Sequence, residues 1–436
     1  MIKTFRKGGI HPDDCKRTGG VAITAPVSPA TVTVMLSQSI GAPAVPEVKA
    51  GDKVLAGQLI AKAGGYVSAA IHSPVAGTVK RFVTVRDVAG YPADAIEITC
   101  DPEQADTEPL APMSLEEHYS PADIVARVAA CGVVGLGGAT FPTAVKLSPG
   151  KEYRPEFVII NGAECEPWLT CDDRLMQEHP DEVVRGARWL MKAVKVDVCY
   201  IGIEENKPEA IAAMTEAATH HKGVKVVTLK KKYPQGGEKQ LIDAVLGRQV
   251  PPGALPVYVG AIVDNVATAY AVWQACEKGL PLTSRVVTVT GPDLANPGNF
   301  LVKVGTPVSA LIEAAGGLPE NTGKVISGGP MMGRAMATLD TPTTKGMSGV
   351  LVLPESVTRR RAPEPCIRCA SCVGVCPMGL EPYLLAAQSE QSLWVDAKAH
   401  NVADCVECGS CVYTCPASRP LLDYIRLAKR EIRKLK

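Results

Sequence analysis

The chain has 436 residues, 46% hydrophobic and 21% charged, with 46 Lys+Arg against 45 Asp+Glu. That length suits two to four domains, and the composition excludes wholesale disorder and fibrous repeats. A net charge of +1 with only 5% aromatics gives neither a chain-wide basic field nor base-stacking platforms, so nucleic acid is not an expected partner. The 15 cysteines are unevenly spread: eight lie from Cys366 onward, and seven are scattered before it. An odd total, with no apolar signal-peptide core in residues 1–12, predicts a reduced, cytosol-side chain and not a secreted disulfide scaffold. The most apolar stretch, 254–275, is interrupted by Asp264 and Asn265, so no bilayer span is expected.

Residues 1–100 alternate short apolar runs (30–36, 78–83) with Gly and Pro turns and read as an all-β module. An acidic stretch at 101–117, with Asp101, Glu103, Asp106, Glu108, Glu116 and Glu117, reads as a linker. Residues 118–280 alternate helix and strand. Helices are expected at 121–130, 208–220, 238–246 and 263–276, with a further amphipathic one carrying Val183, Val184, Ala187, Leu190, Met191 and Val194. Strands are expected at 157–161, 196–203 and 224–229, which predicts a layered α/β domain with parallel strands. Residues 283–340 read as a small α+β module with a strand at 285–290 and a helix at 307–315. An arginine-containing linker (Arg359, Arg360, Arg361) leads to a cysteine-rich module over 362–436.

That module carries the strongest motif. Cys366, Cys369, Cys372 and Cys376-Pro377 form C-x2-C-x2-C-x3-C-P, and Cys405, Cys408, Cys411 and Cys415-Pro416 repeat it. Three thiolates at two-residue gaps reach three irons of one cubane, and the fourth cysteine serves the other cluster of two-cluster ferredoxins. One [4Fe–4S] cluster is thus expected on Cys366, Cys369, Cys372 and Cys415, the other on Cys405, Cys408, Cys411 and Cys376. Zinc sites favour separated Cys pairs or Cys with His, which fits poorly. Neither run lacks a cysteine, so the clusters are expected to relay single electrons and not to bind substrate. Residues 383–399 between the runs read as helix. The tail from Pro416, with seven Lys/Arg and two Asp/Glu (7 − 2 = +5), reads as a helix with a weak seam of Ile425, Ala428, Ile432 and Leu435. Its face suits either an acidic partner or membrane surface, or plain solvent.

The candidate flavin site is the glycine-rich segment Gly132–Lys146. Gly135, Gly137 and Gly138 allow close backbone approach to phosphate or a flat ring, and Lys146 offers a positive charge. The 157–161 strand runs into Asn161, Glu164 and Glu166, where α/β sheets bind ligands; Asn161 suits a flavin edge and the glutamates a ribose. Phe141 is either a nicotinamide-stacking ring or core. Glu204 and Glu205 read as solvated. Asn265 either reaches the FMN phosphate or caps a helix at Ala267. Lys230, Lys231 and Lys232 contact pyrophosphate or form a solvated edge, Cys165 reads as a small buried residue, and no residue is assigned a covalent catalytic role.

Residues Gly135–Lys146, Asn161–Pro167, Asp173-Arg174 and the Asn265 region resemble the FMN- and NADH-binding subunit of respiratory complex I, with Leu136, Thr140 and Ala163 departing from its pattern. Over nearly the whole chain, Phe5–Pro12, Lys232–Lys239 and the paired cysteine motifs resemble the C subunit of the Rnf complex, a membrane-bound, ion-translocating ferredoxin:NAD⁺ oxidoreductase. The resemblance implies a peripheral subunit on the cytoplasmic face of the membrane, with FMN, NAD(H), two [4Fe–4S] clusters, ferredoxin-side carriers and other members of the complex as partners. It also implies a lipoyl-like barrel at 1–100, a β-grasp module at 283–340 and acidic residues facing the nucleotide at Glu204 and Glu205. The barrel's hairpin tip, Gly64–Ala70, has no lysine, so the barrel is expected to be unmodified and structural. Two rival readings are a flavin/iron–sulfur reductase such as a cobalamin reductase, and a non-catalytic electron conduit.

Overall fold

The computed structural model describes residues 2–25, 29–101 and 107–435, so Glu103 and Asp106 of the expected linker lie outside the described residues. In the first hundred residues, strands Thr31–Met35, Pro92–Cys100, Gly77–Arg86 and Lys53–Val54 form one sheet, and Val45–Pro46, Leu59–Lys62 and Ile71–His72 a second. Alternate side chains enter one core: Val32, Val34, Ile96 and Ile98 from the first sheet meet Ile60 and Ile71 from the second. Period-2 alternation is what a half-buried strand requires, and it gives the expected all-β module.

The α/β unit has four parallel strands in the order Val224–Leu229, Cys199–Glu204, Phe157–Gly162, Ala261–Asn265. Both faces are covered. Val158 and Ile160 point to a core shared with helices Pro121–Ala130, Pro180–Val194 and Val266–Trp273, while Ile159 points to a second core with Leu241, Ile242 and Phe5. Buried on both sides, these strands read as near-continuous apolar runs. That explains one departure from expectation. Residues 263–276 are not one helix: strand Ala261–Asn265 pairs with Phe157–Asn161, and the helix starts only at Val266. A short apolar run does not separate buried strand from helix, and the pairing partner decides.

The third sheet has six strands: Ile23–Thr24, Gly298–Lys303, Ser284–Thr290, Gly349–Pro354, Thr322–Ser327 and Arg334–Ala335. It runs past the expected boundary at 340, because Gly349–Pro354 lies between Ser284–Thr290 and Thr322–Ser327 and bonds to both. It also takes a strand from the N-terminal segment, Ile23↔Asn299.

The cysteine-rich module is helical. The expected helix over 383–399 is two, Pro382–Glu390 and Trp394–Ala399, broken where Ser392 adopts φ +56°. The apolar seam of the terminal helix Leu421–Ile432 is turned into the module, while Arg430 on its outer side and Arg433 and Lys434 beyond it stay exposed. Leu421, Leu422, Ile425 and Ala428 are buried within the module, and Arg426 and Lys429 pair with Glu407. Among the described residues, no helix is long and apolar enough to cross a membrane.

Candidate flavin and cluster sites

The parallel sheet grows outward from Phe157–Gly162 in one direction, then crosses to Ala261–Asn265 on the other side. Such a reversal opens a crevice at the carboxyl ends of the two strands. Asn161 and Asn265 are register partners at that crevice. The glycine-rich loop lies over it: a Cβ on Gly137 would come within 3.3 Å of the Asn265 Cβ, while one on Gly138 would meet open space. The loop's shape is fixed from behind. Gly135 N donates to the Phe141 carbonyl (2.8 Å), Leu136 N to Thr268 Oγ1 (2.9 Å), and Arg285 Nη1 to the Leu136 carbonyl (3.4 Å). Phe141 itself is half-buried. A crevice covered by a glycine backbone, with open space beside Gly138, fits a flat ring or phosphate.

The polar residues expected there divide into two groups. Asn161 remains at the crevice, its Nδ2 on the Gly236 carbonyl at 2.8 Å. Asn265 is a helix cap: its Oδ1 accepts from Ala267 N at 2.8 Å, and its Nδ2 donates to Asp172 Oδ2 at 2.6 Å. Burial, reinforced by the neighbouring Glu164 carboxylate, pushes the Asp172 carboxyl up to about 7. Glu164 is turned inward and accepts from the Asp172 and Asp173 amides that start helix Cys171–Glu178. Glu166 accepts from the Met331 and Met332 amides at 2.8 and 2.7 Å, and burial raises its carboxyl.

Lys146 is committed elsewhere, which corrects its expected role as a free counter-charge. Its Nζ donates to the Val263 carbonyl (2.6 Å) and to Asp264 Oδ1 (3.1 Å). Glu204 is 2% exposed and lies 3.7 Å from Lys207 Nζ, so it is not solvated, whereas Glu205 binds the Lys231 amide at the surface. The lysine run is a solvated edge only at Lys230, whose side chain is exposed. Lys230 N donates to the Lys3 carbonyl, Lys231 Nζ pairs with Asp14 at 3.2 Å, and Lys232 Nζ lies over the Phe5 ring. Cys165 Sγ accepts from Gly236 N at 3.2 Å; the residue is half-buried, and desolvation raises its thiol.

Several residues at this crevice carried no signal in the sequence. Lys16 donates to the Glu164, Glu166 and Leu169 carbonyls, and Lys207 to the Ala163 carbonyl, so two lysines hold the loop after Gly162. Lys345 is equally unannounced, and Tyr233, although within the Lys232–Lys239 segment, carries no role that the sequence spells out. Each acts through contacts more than 170 residues away in sequence, which no local spacing encodes.

The eight cysteines collect into two cavities. Cys366, Cys369, Cys372 and Cys415 line one of about 150 Å³, and Cys376, Cys405, Cys408 and Cys411 line the other. The two loops are built alike: Arg368 and Glu407, then Ala370 and Gly409, take positive φ at equivalent positions. Each loop turns into a short helix, Ser371–Gly374 or Ser410–Tyr413. Backbone N–H groups of Leu380 and Glu407 reach Cys376 Sγ and Cys405 Sγ at 3.3 and 3.4 Å. Four converging thiols per cavity, without histidine, fit a cubane cluster. Burial pushes the Cys405 and Cys411 thiols up to about 11 and about 12, so ligation there displaces protons.

The cavities differ in setting. Cys366 and Cys369 are exposed, making that site the outer one. The inner site abuts the α/β unit. Tyr233 Oη donates to the Cys408 carbonyl at 2.8 Å, and Tyr233 and Ile10 exchange backbone hydrogen bonds at 2.9 Å. Gly9 N donates to the Val375 carbonyl beside Cys376. Tyr233 stands three residues before Gly236, whose N–H and carbonyl face Cys165 and Asn161.

Fold and site together define a modular electron-transfer protein that pairs a flavin crevice with two four-cysteine centres. Residues 128–274 match the Nuo51 FMN-binding domain, 3–103 the RnfC barrel sandwich hybrid domain, 286–335 the SLBB domain, and 359–416 the 4Fe-4S dicluster domain. The chain is 44% identical, over 99% of its length and 95% of the relative's, to the C subunit of the proton-translocating ferredoxin:NAD(+) oxidoreductase complex of Clostridium ljungdahlii. It is 42% identical, over 98% of its length and 96% of the relative's, to the Na(+)-translocating counterpart of Acetobacterium woodii. The protein belongs to this RnfC family of ion-translocating oxidoreductase complexes. The NAD+-reducing [NiFe]-hydrogenase in its H2-reduced state shares the fold, with a TM-score of 0.51 and 21% identity over 74% of this chain and 65% of that one.

Proposed function

We propose that the protein is the peripheral electron-transfer subunit of an Rnf-type ion-translocating complex, exchanging electrons between NAD(H) and ferredoxin-side carriers. The reading divides the chain into a barrel (1–100), an FMN and NAD(H) unit (118–280), a β-grasp unit from 283 through the strand ending at 354, and a two-cluster unit (362–436). FMN, when bound, exchanges hydride on one side and single electrons on the other. Gly135, Gly137, Gly138 and Asn161 would hold it at the crevice, with Asn265, Lys146, Glu164 and Glu166 keeping strand ends and loop in place around it. Phe141, Glu204 and Glu205 are the residues proposed toward the nicotinamide nucleotide.

One observation carries the reading. Tyr233 reaches Cys408 from the segment that closes the flavin crevice, so the inner centre is joined by bonded contacts to the flavin site and the outer one opens to solvent. The relay therefore runs flavin crevice, inner centre (Cys376, Cys405, Cys408, Cys411), outer centre (Cys366, Cys369, Cys372, Cys415), partner carrier, or the reverse. In this reading partner subunits attach the protein to the cytoplasmic face of the membrane. Reconstituted full-length protein is expected to bind FMN and about eight irons, and to reduce ferricyanide with NADH. Full cofactor loading with no NADH oxidation would leave only the conduit reading.

A further inference from the structure

We propose that the lipoyl-like barrel, through Lys345, acts as a brace that holds the glycine-rich loop in its flavin-binding shape. This rests on the reading of that loop as the FMN site. The hairpin that carries the modified lysine in lipoyl domains is here Gly64–Ala70, without a lysine, and its end is docked on the loop. A Cβ on Gly132 would sit 2.2 Å from the Ala70 carbonyl oxygen, and Gly132 adopts φ +62°, so only glycine permits the approach. Lys345 closes the joint from a third unit. Its Nζ donates to the Ala70 carbonyl (2.8 Å) and the Gly132 carbonyl (2.7 Å), with the residue 1% exposed. Its backbone N–H donates to barrel residue Gln38 at Oε1 (2.9 Å), and its carbonyl accepts from Arg285, the guanidinium that also reaches Leu136. At the far end of the loop, Ile40 N of the barrel donates to the Thr140 carbonyl at 3.3 Å.

The loop is thus gripped at its start, middle and end, with barrel groups at both ends. The pairing also suits the lysine's protonation. Burial lowers Lys345 to about 7, and a neutral amine still has two N–H donors for its two carbonyls. Removing those donors leaves two buried carbonyls unpaired and frees the start of the loop.

The test is FMN titration of the full-length, cluster-loaded protein by flavin fluorescence, with visible-range circular dichroism of the bound flavin. Lys345→Met is expected to weaken FMN binding by about tenfold or more and to change the flavin dichroism, with iron content unchanged. Binding within about twofold of wild type, with unchanged dichroism, overturns the proposal. If Lys345→Met fails to fold, Gln38→Ala, which removes the barrel acceptor for the Lys345 amide, decides by the same two readouts. Gly137→Ala separates the layers. If it binds FMN like wild type, the loop is not the flavin site and the underlying reading fails. If it weakens binding while Lys345→Met does not, the brace alone fails.

Discussion

Single contacts decide how the two redox regions meet. The Tyr233 hydroxyl bridges to the carbonyl of Cys408, a proposed ligand of the inner centre. Tyr233→Phe keeps the ring and removes the donor, leaving a buried carbonyl unpaired at about 1–3 kcal/mol. It is expected to retain the full iron content yet slow reduction of the inner centre by NADH severalfold, read by freeze-quench EPR; an unaltered rate removes Tyr233 from the relay. Cys408→Ser should remove the inner centre, taking iron from about eight toward about four and abolishing NADH-driven reduction of the outer one. The Lys146–Asp264 pair makes a different prediction. Asp264 is fully buried and Lys146 half-buried. Burial works against the ammonium, but the Asp264 and Glu238 carboxylates outweigh it and raise Lys146. Asp264→Ala leaves that charge without its partner, and urea unfolding should show a loss of about 3 kcal/mol, the low end for a broken buried pair because Lys146 keeps some exposure.

At the scale of elements, close packing of two helices sets the floor of the flavin crevice. Helix Pro180–Val194 crosses helix Val266–Trp273 at Gly186, where a Cβ would sit 1.8 Å from the Ala269 carbonyl oxygen. The second helix is capped by Asn265, so spreading the pair displaces that crevice residue. Gly186→Ala is expected to lower stability by roughly 1–3 kcal/mol and to weaken FMN binding without touching the flavin. Thermal unfolding and FMN titration read the two effects separately. These elements also show which patterns carry information. The strands of the barrel and the helix with Val183, Val184, Ala187 and Leu190 follow period 2 and period 3.6 and were visible as such. Strand Ala261–Asn265 was not, because a run buried on both faces has no period.

Across the whole molecule, one buried lysine joins three units, and it gives the protein a pH signature. Lys345 is lowered by burial to about 7 in the fold, against an ordinary value of 10.5. The unfolded chain therefore binds more protons between these values, so stability is reduced at pH 7 and rises as pH increases above it. Its ionisable neighbours are silent in the lower part of that window: burial holds His72 near 4 and pushes Cys131 up to about 11. Between pH 7 and pH 9 the unfolding midpoint of the wild type should accordingly rise relative to that of Lys345→Met, the difference between the two isolating this lysine from the buried thiols, which act in the opposite sense.

The cysteine pattern was legible from the sequence, down to which fourth cysteine lines which cavity, because three ligands of each centre stand at two-residue gaps and the fourth follows the cross-over of two-cluster ferredoxins. The flavin crevice was legible as a glycine-rich loop and a strand end. The roles of its charged residues were not: Lys146, Glu164 and Glu166 turn to internal partners, whereas Asn265 takes the helix-cap alternative the sequence offered. The sequence by itself thus determined the chemistry the protein can carry, since ligand identity and spacing are local. Only the tertiary structure decided which centre is inner, what joins it to the flavin, and what braces the loop. Those answers rest on contacts such as Tyr233 with Cys408 and Lys345 with Ala70, made across hundreds of residues by the packing of separate units.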